Sequence, residues 1–72
     1  MEFVRVIYPD KRSVRVDGTV TGETGEVLQM EAGTHKFDLG TPVDYHPASK
    51  EVLVTGTTVL LPLRVEFTKG GQ

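Results

Sequence analysis

The chain has 72 residues, which is enough for one domain with a single small core; a domain of this size buries only about 60% of its unfolded surface. It contains no cysteine, which excludes disulfide bonds and thiolate metal sites. Eight basic and ten acidic residues are interspersed and give a formal net charge of −2. This balance argues against a dedicated binder of nucleic acid or of anionic membranes.

The composition predicts strands rather than helices. Valine, isoleucine and threonine supply 21 residues, whereas alanine occurs twice. Such β-branched side chains favour extended backbone. Eight glycines and four prolines interrupt the chain so often that no window of a dozen residues keeps a helical period. The apolar segment from Phe3 to Tyr8 contains Arg5, and no run approaches the roughly 20 residues of a membrane span, so we expect no membrane insertion.

Short apolar alternations follow one another along the chain. The first segment, EFVRVIY, is apolar on both parities, which predicts a central strand or one covered on both sides. In SVRVDG, Val14 and Val16 share one face, and Asp17-Gly18 suits a tight hairpin turn because both residues tolerate positive φ. Three further strands are predicted in EVLQM, THKFDL and SKEVLVT.

The longest alternation runs from Val59 to Phe67 and predicts the last strand, with Gly56 turning the chain into it. Pro62 lies within this run and has no amide to donate. The strand should therefore lie at a sheet edge or contain a bulge there.

About six short strands at this spacing predict an all-β fold, a small antiparallel β-sandwich that forms one domain over residues 1–72. We expect residues 68–72 to be a flexible tail. The predicted core comprises Val14, Val16, Leu28, Met30, Phe37, Leu39, Val52, Val54, Val59, Leu61, Leu63, Val65 and Phe67.

A family resemblance joins several of these segments. The segment VRVDG, then Gly22 and Thr24, then an apolar position at Met30, then AGTHKF, then Tyr45, then EVLVTG, resembles the PEGA domain over about Arg12 to Phe67. The chain departs from that family's pattern at Gly25, at Glu31-Ala32 and at Asp44.

The resemblance implies a short all-β accessory module with a structural or interaction role, some of whose relatives are suspected of sugar binding. It implies no active site. It also implies the cell envelope as the location if this sequence is an excised domain, whereas we expect the cytoplasm if Met1 is the native start.

The segment from Gly40 to Ser49 is the longest predicted loop, and loops of this kind commonly carry binding residues. Two prolines stiffen it around Tyr45 and His46, which offer an aromatic ring and hydrogen-bonding groups. We predict a ligand- or partner-binding site formed by Tyr45, His46, Asp44 and His35. The other interpretation is that the ring of Tyr45 packs onto the end of the fold and anchors the loop.

Metal binding, catalysis and phosphate binding have weaker support in the sequence. His35 and His46 with neighbouring aspartates lack the paired spacing of a metal site, so we predict no metal and no cofactor. Neither serine, Ser13 or Ser49, lies in a nucleophile motif, and we predict that the protein is not an enzyme. The glycines of DGTVTGETG lack the helix and lysine of a phosphate loop and are interpreted as turn glycines. The terminal GGQ matches a release-factor tripeptide by chance.

The leading hypothesis is a non-catalytic structural or protein-interaction module, whose partner binds an edge strand or the loop from Gly40 to Ser49. The alternative is a saccharide-binding module that uses Tyr45 and His46. Binding of single-stranded nucleic acid ranks third, because the chain is acidic and has few aromatic residues.

Overall fold

A computed structural model describes residues 1–70 and contains only strands as regular secondary structure in that range, which confirms the all-β prediction. The nine strands of this range are β1 (Glu2–Ile7), β2 (Ser13–Val16), β3 (Thr19–Glu23), β4 (Val27–Met30), β5 (Gly33–Asp38), β6 (Tyr45–His46), β7 (Lys50–Val54), β8 (Leu63–Glu66) and β9 (Thr68–Lys69).

The strands form three sheets, with the orders β4-β1-β8, β3-β2-β5-β7 and β6-β9. β1 is the central strand of its sheet, as its apolar residues on both parities predict. It pairs with β8 in parallel, with Val4 opposite Leu63 and Arg5 opposite Arg64, so the prediction of a wholly antiparallel fold is wrong here. The other pairs are antiparallel.

One apolar cluster joins the inward faces of the two larger sheets. Nine of the predicted core residues are buried in it: Val14, Val16, Leu28, Met30, Phe37, Leu39, Val54, Val65 and Phe67. Val52 and Leu63 are partly buried against it. The cluster also contains Val4, Val6 and Tyr45, which the predicted core did not include.

The hairpin between β2 and β3 has the predicted turn. Asp17 and Gly18 both have positive φ, at 54° and 84°, which matches the twist of the flanking strands. Gly22, however, is not a turn glycine. It lies within β3, and a Cβ atom there would collide with the side chain of Leu28, so close packing explains this glycine.

The prediction of the last strand is wrong over the first half of that strand. Val59 and Leu61 are exposed instead of buried, and β8 begins only at Leu63, directly after Pro62. Since Pro62 has no amide hydrogen to donate and restricts the backbone of Leu61 before it, the ladder starts beyond it. The turn expected at Gly56 does not lead directly into the last strand, because β7 and β8 belong to different sheets and residues 55–62 connect them.

The first two residues of the predicted tail form a strand instead. Thr68 and Lys69 form β9, which pairs with Tyr45 and His46 of β6. Lys69 also forms an ion pair with Asp10 at 2.7 Å, so β6 and the connection between β1 and β2 both hold this segment. The last two residues of the predicted tail, and with them most of the GGQ tripeptide, lie outside the described residues.

Candidate functional site

Tyr45 is buried, with 3% of its surface exposed. Its ring packs edge-on against Phe67 and Tyr8, at centroid distances of 5.6 Å and 6.2 Å. Its hydroxyl donates to the carbonyl of Gly40 at 2.7 Å and accepts from the amide of Leu39 at 3.2 Å. The anchoring interpretation of Tyr45 is therefore confirmed, and the ring offers no face on which a sugar could stack.

Arg12 also anchors the loop that contains Tyr45. Its guanidinium lies 5.3 Å from the centre of the Tyr45 ring and donates to Asp44 at 2.7 Å. It also donates to the carbonyls of Leu39 and Pro42, at 3.2 Å and 3.0 Å. Because one planar cation bonds three points of the segment, the start of the loop is held rigidly and the Asp44 carboxylate already has a partner.

His35 lies in β5 and belongs to a different cluster. Its Nδ1 is 2.7 Å from the Asp17 carboxylate, and its Nε2 is 2.6 Å from the carbonyl of Glu31. Both neighbours are acceptors only, so the imidazolium, which donates from both nitrogens, fits this position. The hydrogen bond to Asp17, followed by that to Glu31, raises the pKa of His35 above its usual value.

Asp17, at the hairpin turn, supplies the carboxylate that pairs with His35. One carboxylate oxygen accepts from the amide of Lys36 at 2.9 Å while the other faces His35. These two hydrogen bonds, of which the amide of Lys36 contributes more, lower the pKa of Asp17. The cluster joins the β2–β3 turn to β5, which makes it a structural contact between strands.

The four predicted site residues do not form one site. Asp44 and Tyr45 are committed to anchoring, and His46 is exposed in β6. None of the described hydrogen bonds or ion pairs connects His35 with the other three. Within residues 1–70, no group of three or more histidine and carboxylate side chains could hold a metal ion.

A groove of about 300 Å³ follows the outer side of the loop. Its cations are Arg15 and Lys36, neither of which the sequence indicated as a site residue. Arg15 lies 3.8 Å from Asp38, which also lines the groove and partly neutralises it. The remaining lining residues are Gly40, Thr41, Val43, Tyr45, Ala48 and Ser49.

A second surface surrounds the segment that was predicted to be the start of the last strand. Thr58 and Leu61 exchange backbone hydrogen bonds of 3.3 Å and 3.1 Å, which closes a tight turn with Val59 and Leu60 at its tip. We call residues 58–61 the apolar turn. Its side chains project into solvent: Val59 is 58% exposed, Leu60 88% and Leu61 78%.

The apolar turn is anchored firmly at its base. Thr57 donates from its hydroxyl and its amide to the Glu2 carboxylate, at 2.6 Å and 2.9 Å, and its hydroxyl accepts from the amide of Phe3 at 2.7 Å. The hydrogen bond from the Thr57 hydroxyl, more than that from its amide, lowers the pKa of Glu2. The exposed leucines therefore extend from a base that is fixed to β1.

A groove of about 420 Å³ lies between the apolar turn and the sheet. We call it the arginine groove, and its lining comprises Arg5, Ile7, Leu60, Leu61, Pro62 and Arg64. Arg5 and Ile7 alternate with the buried Val4 and Val6 along β1, so they point away from the core. The arginine groove thus occupies the outer face of the sheet β4-β1-β8.

Sequence reasoning missed this surface because it assigned Val59 and Leu61 to the core. One signal was available: Val-Leu-Leu precedes Pro62, which prevents a regular ladder at that point. A pattern of apolar alternation interrupted by proline can indicate an exposed turn as well as a strand.

Comparison of the chain with protein-family models, with curated proteins and with solved structures finds no match. The resemblance to the PEGA domain therefore stays a prediction. The described residues contain no helix long and apolar enough to span a membrane.

Proposed function

We propose that the protein is a non-catalytic protein-interaction module whose partner binds the apolar turn. The observation that carries this proposal is the exposure of Val59 and Leu60 at the tip of a hydrogen-bonded turn. Tight turns favour glycine, asparagine, aspartate, serine and proline, so local conformation does not account for a Val-Leu tip. Contiguous exposed apolar side chains are typical of a binding surface.

The anchoring of the turn supports the same proposal. A binding surface gains affinity when its side chains are ordered before the partner arrives. Thr57 supplies that order through its contacts with Glu2 and Phe3. Burial of a leucine side chain in a partner is worth about 1.5–3 kcal/mol, so two exposed leucines can contribute substantially to binding.

An open strand edge lies beside the turn. Phe67 donates its amide to the carbonyl of Ile7 at 3.0 Å, so the odd-numbered residues of this segment direct their backbone groups toward β1. Arg64 and Glu66 direct theirs to the opposite edge, where no strand of the described chain pairs with β8 and only the Lys50 ammonium donates, to the carbonyl of Glu66 at 3.2 Å. A partner strand could add there, which is a common mode of peptide recognition.

The saccharide alternative loses its main support because the ring of Tyr45 is buried. The proposed partner site also differs from the loop between Gly40 and Ser49. In that loop Asp44 and Tyr45 have partners within the protein, whereas the side chains of the apolar turn remain exposed to solvent.

Photo-crosslinking tests the proposal directly. A benzophenone amino acid replaces Leu60 in the full chain, and a matched control carries it at Val20, which is 64% exposed in β3. In extracts of cells that naturally express the protein, we expect one discrete protein adduct from position 60 that Leu61→Ser abolishes. Identical adducts from both positions, or none from position 60, would contradict the proposal.

A further inference from the structure

Two arginines lie side by side on the outer face of β1 and β8. Arg5 and Arg64 are direct partners in the parallel register, so their side chains leave the sheet on the same face. Like charges placed directly opposite each other in a sheet are destabilising. The free protein thus maintains an unfavourable arrangement at this position.

Carboxylates within the protein compensate this pair only weakly. Arg64 approaches Glu66 at 3.4 Å, and both side chains are well exposed to solvent. Arg5 forms no ion pair with any residue in the range 1–70. The face therefore carries two cationic side chains that line one groove, and Arg5 has no carboxylate partner among the described residues.

Apolar surface borders this charge pair. Leu60, Leu61 and Pro62 line the groove on one side, and Ile7 lies next to Arg5 on the same face of β1. A free inorganic anion would contact the arginines but leave the leucines in water. The combination fits a ligand that carries negative charge and apolar side chains together.

We propose that the arginine groove binds a segment of a partner protein in which an aspartate or glutamate carboxylate lies beside apolar side chains. The carboxylate contacts Arg5 and Arg64, and the apolar side chains cover Leu60 and Leu61. Arginine is suited to this role because its planar guanidinium can donate two parallel hydrogen bonds to one carboxylate. This inference rests on the proposed function, since it specifies what the partner of the apolar turn presents.

The alternating pattern of a strand would meet these requirements. If the partner segment adds to the open edge of β8, every second side chain faces the same side of the sheet as Arg64. A carboxylate two residues from a leucine or valine would then share that face with it. The preferred segment is therefore extended and has acidic and apolar residues spaced by two.

A subtractive selection identifies such segments even when the natural partner has not been isolated. Random twelve-residue peptides are displayed and selected on the full-length protein, and those that also bind the Leu60→Ser variant are removed. We expect the remaining peptides to combine leucine, valine or isoleucine with aspartate or glutamate. One enriched peptide is then synthesised, and its affinity is measured by calorimetry at two salt concentrations.

Charge reversal tests the role of the arginines. Arg5→Glu should weaken binding of the synthetic peptide at least about tenfold, because it removes a charged hydrogen-bond donor and adds repulsion. Lys36→Glu changes the net charge equally but lies in β5 of the other sheet, and it should leave the affinity within about twofold. Amide spectra of both variants verify that the fold is retained.

The outcomes separate this inference from the proposed function. Peptides that depend on Leu60 but lack carboxylates, or that bind Arg5→Glu with unchanged affinity, overturn the inference and leave the interaction module standing. An empty subtractive selection overturns both. Binding of phosphatidylserine vesicles in place of peptides, or self-association of the wild-type chain that Arg5→Glu abolishes, would also overturn it by assigning the groove to a membrane or to a second copy.

Discussion

The Tyr45 hydroxyl forms two hydrogen bonds with the backbone at the start of the loop, and its removal tests how the loop is held. Tyr45→Phe deletes one oxygen and leaves the ring in contact with Phe67 and Tyr8. The substitution leaves the amide of Leu39 and the carbonyl of Gly40 without their side-chain partner. Leu39 is buried, so water does not readily replace the lost acceptor.

The expected loss follows from these two groups. A buried polar group without a hydrogen bond costs about 1–3 kcal/mol. Gly40 is only half-buried and can recover part of its loss from water, so we expect the free energy of unfolding to fall by about 2 kcal/mol in total. In a domain of this size, 1 kcal/mol corresponds to about 4–8 °C, which gives a decrease of roughly 8–16 °C in Tm.

Tyr8 supplies a matched control in the same aromatic contact. Its hydroxyl oxygen is buried and has no hydrogen-bond partner in the part of the chain that the structure describes. Tyr8→Phe removes the same oxygen from a tyrosine that gains nothing from it. We expect its stability to be unchanged or raised by up to about 1 kcal/mol.

Thermal and urea unfolding followed by circular dichroism compare the wild type with both variants. We expect a clear loss of stability for Tyr45→Phe and none for Tyr8→Phe, with similar urea dependence of the unfolding free energy in all three proteins. Equal losses in the two variants would refute it, because the loss at Tyr45 would then not depend on the two hydrogen bonds that Tyr8 lacks.

Three further predictions concern stability alone. Arg5→Gln should raise the unfolding free energy by about 0.2–1 kcal/mol in denaturant titrations, because it removes the like charge opposite Arg64; a decrease would contradict the assumed repulsion. Gly22→Ala should lower it by about 1–3 kcal/mol through collision with Leu28, and Leu28→Val should recover part of that loss in the double variant. The raised pKa of His35 stabilises the fold below its ordinary value of 6.5, and that stabilisation disappears as the pH rises through the raised pKa. Thermal unfolding between about pH 5 and about pH 8 should therefore show a steeper loss in the wild type than in His35→Gln.

Patterns of alternation predicted most of the core because burial on one face of a sheet imposes a period of two. Val14, Val16 and Phe37 are buried as that period requires. The Asp17-Gly18 turn was equally predictable, since few dipeptides tolerate positive φ at both positions. These are local properties, and the sequence carries them directly.

The arrangement of strands was not predictable in the same way. Whether β8 returns beside β7 or crosses to β1 depends on which pairing buries Val65 and Phe67, and alternation is identical in both cases. The short pair β6-β9 contains two residues in each strand, too few to show any period. The placement of Arg5 opposite Arg64 depends on this long-range pairing, so the arginine groove was not visible from the sequence.

The two loops differ in whether their side chains find partners within the protein. At the Tyr45 loop, the phenol, the Arg12 guanidinium and the Asp44 carboxylate all have partners within the protein, so stability alone accounts for them. At the apolar turn, Leu60 remains in water, and Arg5 faces a second cation. Natural sequences generally satisfy local rules, and departures from them concentrate at functional sites. The exposed Leu60 and the like-charged pair Arg5 and Arg64 both line the arginine groove. A partner segment that is both apolar and acidic would bury the leucine and neutralise the arginines.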